Sequence, residues 1–238
     1  MHPFDPTATT LLACRHGQSL GNVARADAEA RGLEHIGLAL TDAELPLTGL
    51  GHAQAVALGR RIAALPAAQR PTRILCSPHR RALETAEGII RRTYAGQRIA
   101  FSIDARLVPK AFGVLEHLTR RGVASRHPEL AAERERLGRF HFRPPGGESR
   151  GDVVLRVRRV LDDLRDRHAG ERVLLVTHQI VINALDHLLN GARDDALAND
   201  EDGWVPNARL YGFALDRAPA VSAARSTADE AAASMAAA

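Results

Sequence analysis

An apolar run that breaks off in charged residues lies near the start of the chain: Leu11-Leu12-Ala13-Cys14-Arg15-His16-Gly17-Gln18-Ser19. A short apolar run bounded by polar residues predicts a strand that is buried on both faces. Arg15 and His16 then stand at its carboxyl end, which is the edge where open α/β sheets bind ligands. On this motif alone, a loop histidine satisfied by backbone groups is the alternative.

The length and composition predict one α/β domain. The chain has 238 residues, of which 45% are hydrophobic and 25% charged, as is typical of a soluble globular protein. We expect a single domain over residues 1–216. The Ala/Ser-rich segment 217–238 has little to bury and predicts a disordered tail.

The sequence favours a cytoplasmic protein without a membrane span. No segment approaches the roughly 20 apolar residues that cross a bilayer, and the first ten residues lack a secretory apolar region. Cys14 and Cys76 are the only cysteines, and both end predicted buried strands. We therefore expect inert core thiols rather than a disulfide.

The positive charge does not indicate a nucleic-acid partner. The net charge of +4 is carried by scattered arginines, Lys110 is the only lysine, and aromatic residues make up 4% of the chain. Neither a block of basic residues nor a base-stacking aromatic series is present. Some arginines could instead form an anion pocket of the size of a phosphate.

Apolar runs alternate with helical patterns along the chain. The runs predict further strands at 73–76, 99–103, 173–177 and 208–215, and apolar residues at helical spacing occur within 55–65, 83–94, 153–164 and 181–188. This order predicts a three-layer α/β/α sandwich with a mostly parallel central sheet. Two irregular excursions, near 24–44 and 106–143, the second with short helical pieces, are expected to set specificity.

The predicted sheet brings basic residues to one edge. Arg15 and His16, the segment from Ser77 to Arg81, and His178 each follow a strand and should converge there. Arginines neutralise phosphoryl oxygens and an imidazole can attack phosphorus, so a phosphoryl group is the natural ligand. Metal ligands at typical spacing are absent from the sequence and the arginines would repel a cation, so neither a metal nor another cofactor is expected.

Five motifs in this order resemble the histidine phosphatase superfamily, in its phosphoglycerate mutase-like branch. They span residues 11 to 216 and read Arg15-His16-Gly17-Gln18-Ser19 with Asn22, Leu47-Thr48-x-x-Gly51-x-x-Gln54-Ala55, Ser77-Pro78-x-x-Arg81-Ala82-x-x-Thr85-Ala86, Pro145-Gly146-Gly147-Glu148-Ser149 and Val176-Thr177-His178. One such motif is weak evidence, whereas five in order are strong.

The resemblance implies a role for each matching residue. His16 would be the nucleophile that becomes phosphohistidine, while Arg15, Arg81 and His178 would bind the phosphoryl group. The substrate-binding residues that it implies are Asn22, Gln18, Ser77, Arg143 and Gln179. Gln179 could instead cap the following helix, and Arg143 could be a solvated loop residue.

The chain departs from the family where the proton donor is expected. Relatives carry a glutamate before a Phe-Gly pair, and here Pro109 stands at that position ahead of Phe112-Gly113. Proline cannot transfer a proton, and general acid catalysis contributes about 10²–10⁴-fold. Glu116 and Glu148 are the candidate replacements, although each could be a surface charge or a cap. A substrate with a good leaving group would not need the acid.

The sequence therefore predicts a metal-independent phosphatase that hydrolyses phosphomonoesters of small molecules through phospho-His16. A phosphoglycerate mutase-like phosphotransferase is one alternative. A phosphate-ligand-binding protein weakened in catalysis by Pro109 is another, and nucleic-acid binding ranks last. The physiological substrate and the oligomeric state stay open.

Overall fold

The computed structural model describes residues 11–192 and 205–215. Its central sheet has five strands in the order β3-β2-β4-β1-β5. They are β1 (Leu11–Arg15), β2 (Arg73–Cys76), β3 (Ala100–Ile103), β4 (Val173–Thr177) and β5 (Leu210–Phe213). All neighbouring strands are parallel except β5, which runs antiparallel to β1. The predicted mostly parallel sheet is confirmed. The predicted tail 217–238 lies outside the described residues.

Helices cover both faces of the sheet. The described helices are α1 (Leu20–Ala30), α2 (Gly49–Ala63), α3 (Arg80–Thr93), α4 (Arg120–Arg126), α5 (Pro128–His141), α6 (Arg150–Arg167) and α7 (Gln179–Asn190). One apolar cluster joins the sheet to α6 and α7, and a second joins it to α2 and α3. This arrangement is the predicted α/β/α sandwich.

The alternation of side chains along β1 explains why its first four residues are all apolar. Leu11 and Ala13 belong to the cluster on the α6/α7 face, whereas Leu12 and Cys14 belong to the cluster on the α2/α3 face. Successive side chains point to opposite faces of a strand, so a strand covered on both sides needs apolar residues at every position. All five residues of β1 are buried.

Both excursions contain more helix than the sequence predicts. The first holds α1, which begins with a capping box between Ser19 and Asn22 and buries only Ala28. A helix that buries so little lacks the stripe of apolar residues by which helices are recognised in a sequence. The second excursion holds α4 and the 14-residue α5, whose geometry is interrupted at Gly138 with φ +74°. The second excursion is therefore more helical than the short helical pieces that the sequence predicts.

The structure also shows the state of the two cysteines and the character of the described helices. Cys14 and Cys76 are buried free thiols, as predicted. Burial raises the pKa of Cys76 to about 12, and it raises that of Cys14 further. None of the described helices is long and apolar enough to cross a membrane.

Candidate active site

The parallel register brings three strand ends together at one edge of the sheet. Arg15 pairs with Thr177 across β1 and β4, and Cys76 pairs with Val176 across β2 and β4. The residues that follow these strands, among them His16, Ser77 and His178, therefore share this edge. The predicted convergence is what the fold produces.

His16 is held as a neutral imidazole with one nitrogen available. It is 3% exposed, and its Nδ1 lies 2.7 Å from the carbonyl oxygen of Gly17. A carbonyl only accepts, so Nδ1 must carry the proton and Nε2 keeps its lone pair. Burial, followed by the charges of Arg81 and Arg15, lowers the pKa of His16 well below its ordinary value. The ring is thus prepared to act as a nucleophile near neutral pH.

Two buried guanidinium groups flank this histidine. Arg15 donates from Nη1 to the carbonyl oxygen of Val205 at 2.6 Å and to Oε1 of Gln179 at 3.1 Å. Burial and then the charge of Arg81 lower the pKa of Arg15 to about 10. Two buried cations that repel each other are stabilised by an anion that binds both. The site therefore has the electrostatics of a phosphate pocket.

Arg81 is oriented by Asp42, which the sequence analysis did not single out. Its Nη2 donates to Oδ2 of Asp42 at 2.9 Å, and its Nη1 donates to the Asp42 carbonyl oxygen. Burial would raise the pKa of Asp42, but hydrogen bonds and charges from His79 and Arg81 hold it well below its usual range. Asp42 is therefore an ionised carboxylate that fixes the guanidinium plane.

His178 stands at the start of α7, beside His16. Its ring centroid lies 5.1 Å from that of His16, and its Nε2 lies 2.9 Å from Oγ of Ser77. Burial and then the charge of Arg81 lower the pKa of His178 well below its ordinary value. Ser77 therefore orients a second neutral imidazole towards the same pocket.

Gln18 and Asn22, implied as substrate-binding residues, bind the protein itself. The Gln18 Oε1 accepts a hydrogen bond from Oγ1 of Thr48 at 2.8 Å. The Asn22 Oδ1 accepts from the backbone N–H of Ser19 at 3.1 Å and from Nδ2 of Asn207 at 3.2 Å. Both side chains hold the loop that carries His16.

Gln179 and Arg143 differ in what they contact: Gln179 bonds to Arg15, and Arg143 bonds to Asp152. Gln179 accepts a hydrogen bond from Arg15, so its side chain orients that guanidinium, while the N-cap of its helix is His178. Arg143 is 62% exposed and donates from Nη2 to Oδ1 of Asp152 at 2.5 Å. Because Asp152 also caps α6 through Ser149, Arg143 is held at the start of that helix.

Glu148 and Glu116, the candidate proton donors, have different surroundings. Glu148 forms an ion pair with Arg156 at 2.9 Å and accepts a hydrogen bond from the backbone N–H of Ala111 at 3.1 Å. Arg156 also donates to the Pro109 carbonyl oxygen at 3.0 Å, so Glu148 helps to fix the segment around Pro109. Glu116 lies beside Asp42, with its Oε2 3.4 Å from the backbone nitrogen of Phe112.

One group of side chains could contribute ligands to a metal ion. Among the described residues, ligand atoms of Asp42, Glu116 and His117 lie within 4.8 Å of one another. The Asp42 carboxylate already binds Arg81 and lies 3.3 Å from Nε2 of His79. A metal here would compete with the Arg81 cation for the same carboxylate.

The sequence model of the histidine phosphatase superfamily (branch 1) matches residues 11–217. The chain belongs to the histidine phosphatase superfamily. The match begins with β1 and includes both histidines of the pocket. The resemblance drawn from the five motifs is confirmed.

Known members of the superfamily include both mutases and phosphatases. A 2,3-bisphosphoglycerate-dependent phosphoglycerate mutase 2 of Gloeobacter violaceus is 32% identical over 184 residues, covering 75% of this chain and 76% of the mutase. The solved structure of a mycobacterial glucosyl-3-phosphoglycerate phosphatase is 27% identical with a TM-score of 0.61, covering 84% of this chain and 87% of that one.

Some relatives of this superfamily member are much longer proteins. A bifunctional protein of Mycobacterium tuberculosis is 38% identical over 114 residues, or 47% of this chain. The match covers 29% of that relative's length. The likeness therefore concerns part of the relative only.

Four residues that hold the site are given no individual role by the sequence: His79, Asp42, Thr85 and Asn207. Thr85 accepts a hydrogen bond from the backbone N–H of Gly17 at 3.0 Å, and Asn207 donates to the His16 carbonyl oxygen at 3.0 Å. Thr85 and His79 lie within a quoted motif, but their contacts depend on segments distant in sequence. Local pattern gives no signal for such partners.

Proposed function

We propose that this protein is a metal-independent phosphatase that hydrolyses phosphomonoesters through a phosphohistidine on His16. The observation that carries the proposal is the hydrogen bond from His16 Nδ1 to the Gly17 carbonyl oxygen at 2.7 Å. It leaves Nε2 as a nucleophile beside two buried arginines. A phosphomonoester is the substrate class whose charge this pocket neutralises.

The first chemical step transfers the phosphoryl group to the protein. His16 Nε2 forms a bond to phosphorus while the bond from phosphorus to the leaving oxygen breaks. Negative charge on the equatorial oxygens is stabilised by Arg15, Arg81 and His178, whose fixed geometry needs no reorganisation during the reaction. Water then attacks the phosphohistidine and releases inorganic phosphate.

Hydrolysis fits the pocket better than mutase chemistry. A mutase must protonate and deprotonate sugar-acid hydroxyls in both directions, and Pro109 removes the expected acid. The phosphatase relative with known structure supports hydrolysis, whereas the Gloeobacter relative keeps the mutase as an alternative.

A second candidate is a phosphate-ligand-binding protein with little turnover. It is favoured by Pro109 together with the Asp42 carboxylate, which occupies donors of Arg81 that a phosphoryl group would use. Such a protein would be stabilised against heat by a phosphorylated metabolite without releasing phosphate.

Hydrolysis of para-nitrophenyl phosphate, and of glycerol 2-phosphate, whose leaving group needs an acid, separates these functions when it is measured in excess EDTA. Wild type, His16→Ala and Pro109→Glu are compared. The Pro109 nitrogen has no proton to donate, so the Glu substitution removes no hydrogen bond. Turnover that survives EDTA and is lost in His16→Ala supports the phosphatase. Turnover that appears only in Pro109→Glu would favour the binding protein.

A further inference from the structure

His79 is a third histidine at the phosphoryl pocket, and the proposed mechanism does not use it. Its ring packs edge-on against His178, with 5.2 Å between centroids and 75° between planes. The His178 ring lies 5.1 Å from that of His16. The three imidazoles therefore form a continuous row that starts at the nucleophile, and the side chain of His79 is only 14% exposed.

The two nitrogens of His79 have different surroundings. Nε2 lies 3.3 Å from Oδ2 of Asp42, an ionised carboxylate to which it must donate. Nδ1 is buried and has no hydrogen-bond partner among the described residues. Buried polar atoms in folded proteins are nearly always partnered, so Nδ1 has a hydrogen-bonding capacity that the described residues leave unused.

The backbone gives His79 a fixed position. It is the N-cap residue of α3, two residues after Ser77, and its N–H donates to Oγ of Ser77 at 3.4 Å. The same hydroxyl lies 2.9 Å from Nε2 of His178. Ser77 thus holds both histidines, and Asp42 holds the far side of the His79 ring.

We infer that His79, oriented by Asp42, is the general acid that protonates the leaving oxygen in place of the acid missing at Pro109. This inference rests on the proposed phosphatase function. A carboxylate that holds one nitrogen of an imidazole fixes the ring and stabilises the imidazolium, as in other histidine–aspartate pairs. The geometry gives His79 both an anchored nitrogen and a free one.

The proton and the electron pairs balance over one catalytic cycle. As the bond from His16 Nε2 to phosphorus forms, the bond to the leaving oxygen breaks and that oxygen takes the Nδ1 proton of the His79 imidazolium. The alcohol leaves neutral. Nδ1 then accepts a proton from the water that attacks the phosphohistidine. Phosphate is released, and both histidines return to their initial states.

The two carboxylates that could donate the proton instead of His79 already have other partners. Glu148 is engaged by Arg156, and Glu116 accepts from the backbone of Phe112. In the part of the chain that the structure describes, neither forms a hydrogen bond or ion pair with His16 or His178. The charged and titratable groups that face His79 are Asp42 and His178, with Arg81 bound to the same carboxylate.

The test compares two substrates that differ in how much they need an acid. Glycerol 2-phosphate has a poor leaving group, and para-nitrophenyl phosphate has a good one. His79→Gln keeps a donor for Asp42 but has no transferable proton. We expect it to lower kcat/KM for glycerol 2-phosphate by about 10²-fold or more and to leave that for para-nitrophenyl phosphate nearly unchanged.

Two control variants change other side chains beside the Asp42 carboxylate. His117→Asn removes another imidazole beside Asp42, at a residue with φ +61° that asparagine tolerates. Glu116→Gln removes the neighbouring acid. Neither is expected to change the ratio between the two substrates. His79→Asn repeats the test if His79→Gln fails to fold, as judged by thermal unfolding.

Several outcomes would overturn the inference. An equal loss on both substrates in folded His79→Gln would make His79 a phosphate ligand, and a selective loss in Glu116→Gln alone would make the carboxylate the donor. Wild type that cleaves only para-nitrophenyl phosphate would show that no donor works. If wild type cleaves neither substrate faster than His16→Ala, the proposed function itself has failed.

Discussion

Gly51→Ala adds one methyl group and so tests whether close backbone packing positions the loop that carries His16. A Cβ at Gly51 would lie 2.1 Å from the carbonyl oxygen of Gln18, and a Cβ at Gly17 would lie 2.4 Å from the Gly51 carbonyl oxygen. Ordinary contact begins near 3.4 Å. Gly51→Ala must therefore move the loop or the start of α2 by roughly 1 Å, because a close-packed interior has no space for the added methyl group.

The displacement has two measurable consequences. Overpacking of this kind costs about 1–3 kcal/mol of unfolding free energy, and Tm falls by about 2–4 °C for each kcal/mol in a domain of this size. A misplacement of about 1 Å at a reacting group costs about 10²-fold in rate. We expect Gly51→Ala to show both losses, measured by calorimetry and by kcat for para-nitrophenyl phosphate.

Gly49 provides a control in the same helix. A Cβ at Gly49 meets nothing within 4 Å, so Gly49→Ala should leave both Tm and kcat close to wild type. If Gly51→Ala matches wild type in both measurements, close backbone packing does not position His16, and the reasoning is refuted.

Three further predictions concern charge and reactivity. Arg81→Lys should lower kcat/KM for para-nitrophenyl phosphate by about 10²–10³-fold, because an ammonium lacks the planar fork, and an unchanged value would contradict this. Since the pKa values of His16 and His178 are lowered on folding, their contribution to stability is complete above pH 6.5 and falls below it. Between pH 7 and 5, the free energy of unfolding should fall by up to about 1.4 kcal/mol per pH unit for each histidine. Thermal unfolding of the wild type measures this loss, and a variant with asparagine at both positions should not show it. Cys14 and Cys76 should resist iodoacetamide until the protein unfolds, and rapid labelling of the native state would count against their burial.

The sequence predicts the sheet well because its central strands are covered on both faces. β1, β2 and β4 lie between two helical layers, so they need apolar residues on both faces and the apolar runs stand out in the sequence. The strand ends then place His16 and His178 at one edge without further information. α1 was missed because only Ala28 of that helix is buried. A helix that packs so little against the protein has the composition of a loop.

The finer structure of the pocket depends on contacts that no local pattern reports. Asp42 reaches Arg81 and His79 from a turn that precedes α2, and Asn207 reaches the His16 carbonyl from just before β5. Glu148 and Pro109 belong to separate motifs, and the structure joins them through Arg156. Residues of this kind become visible only when the chain is folded.

Trapping the phosphoenzyme tests the central claim most directly. Protein is mixed with ³²P-labelled para-nitrophenyl phosphate in excess EDTA, quenched in alkali within milliseconds, and digested for mass spectrometry. We predict an acid-labile, base-stable phosphoryl group on His16 that is absent from His16→Ala. Turnover by wild type with no such label, or with the label on another residue, would contradict the account.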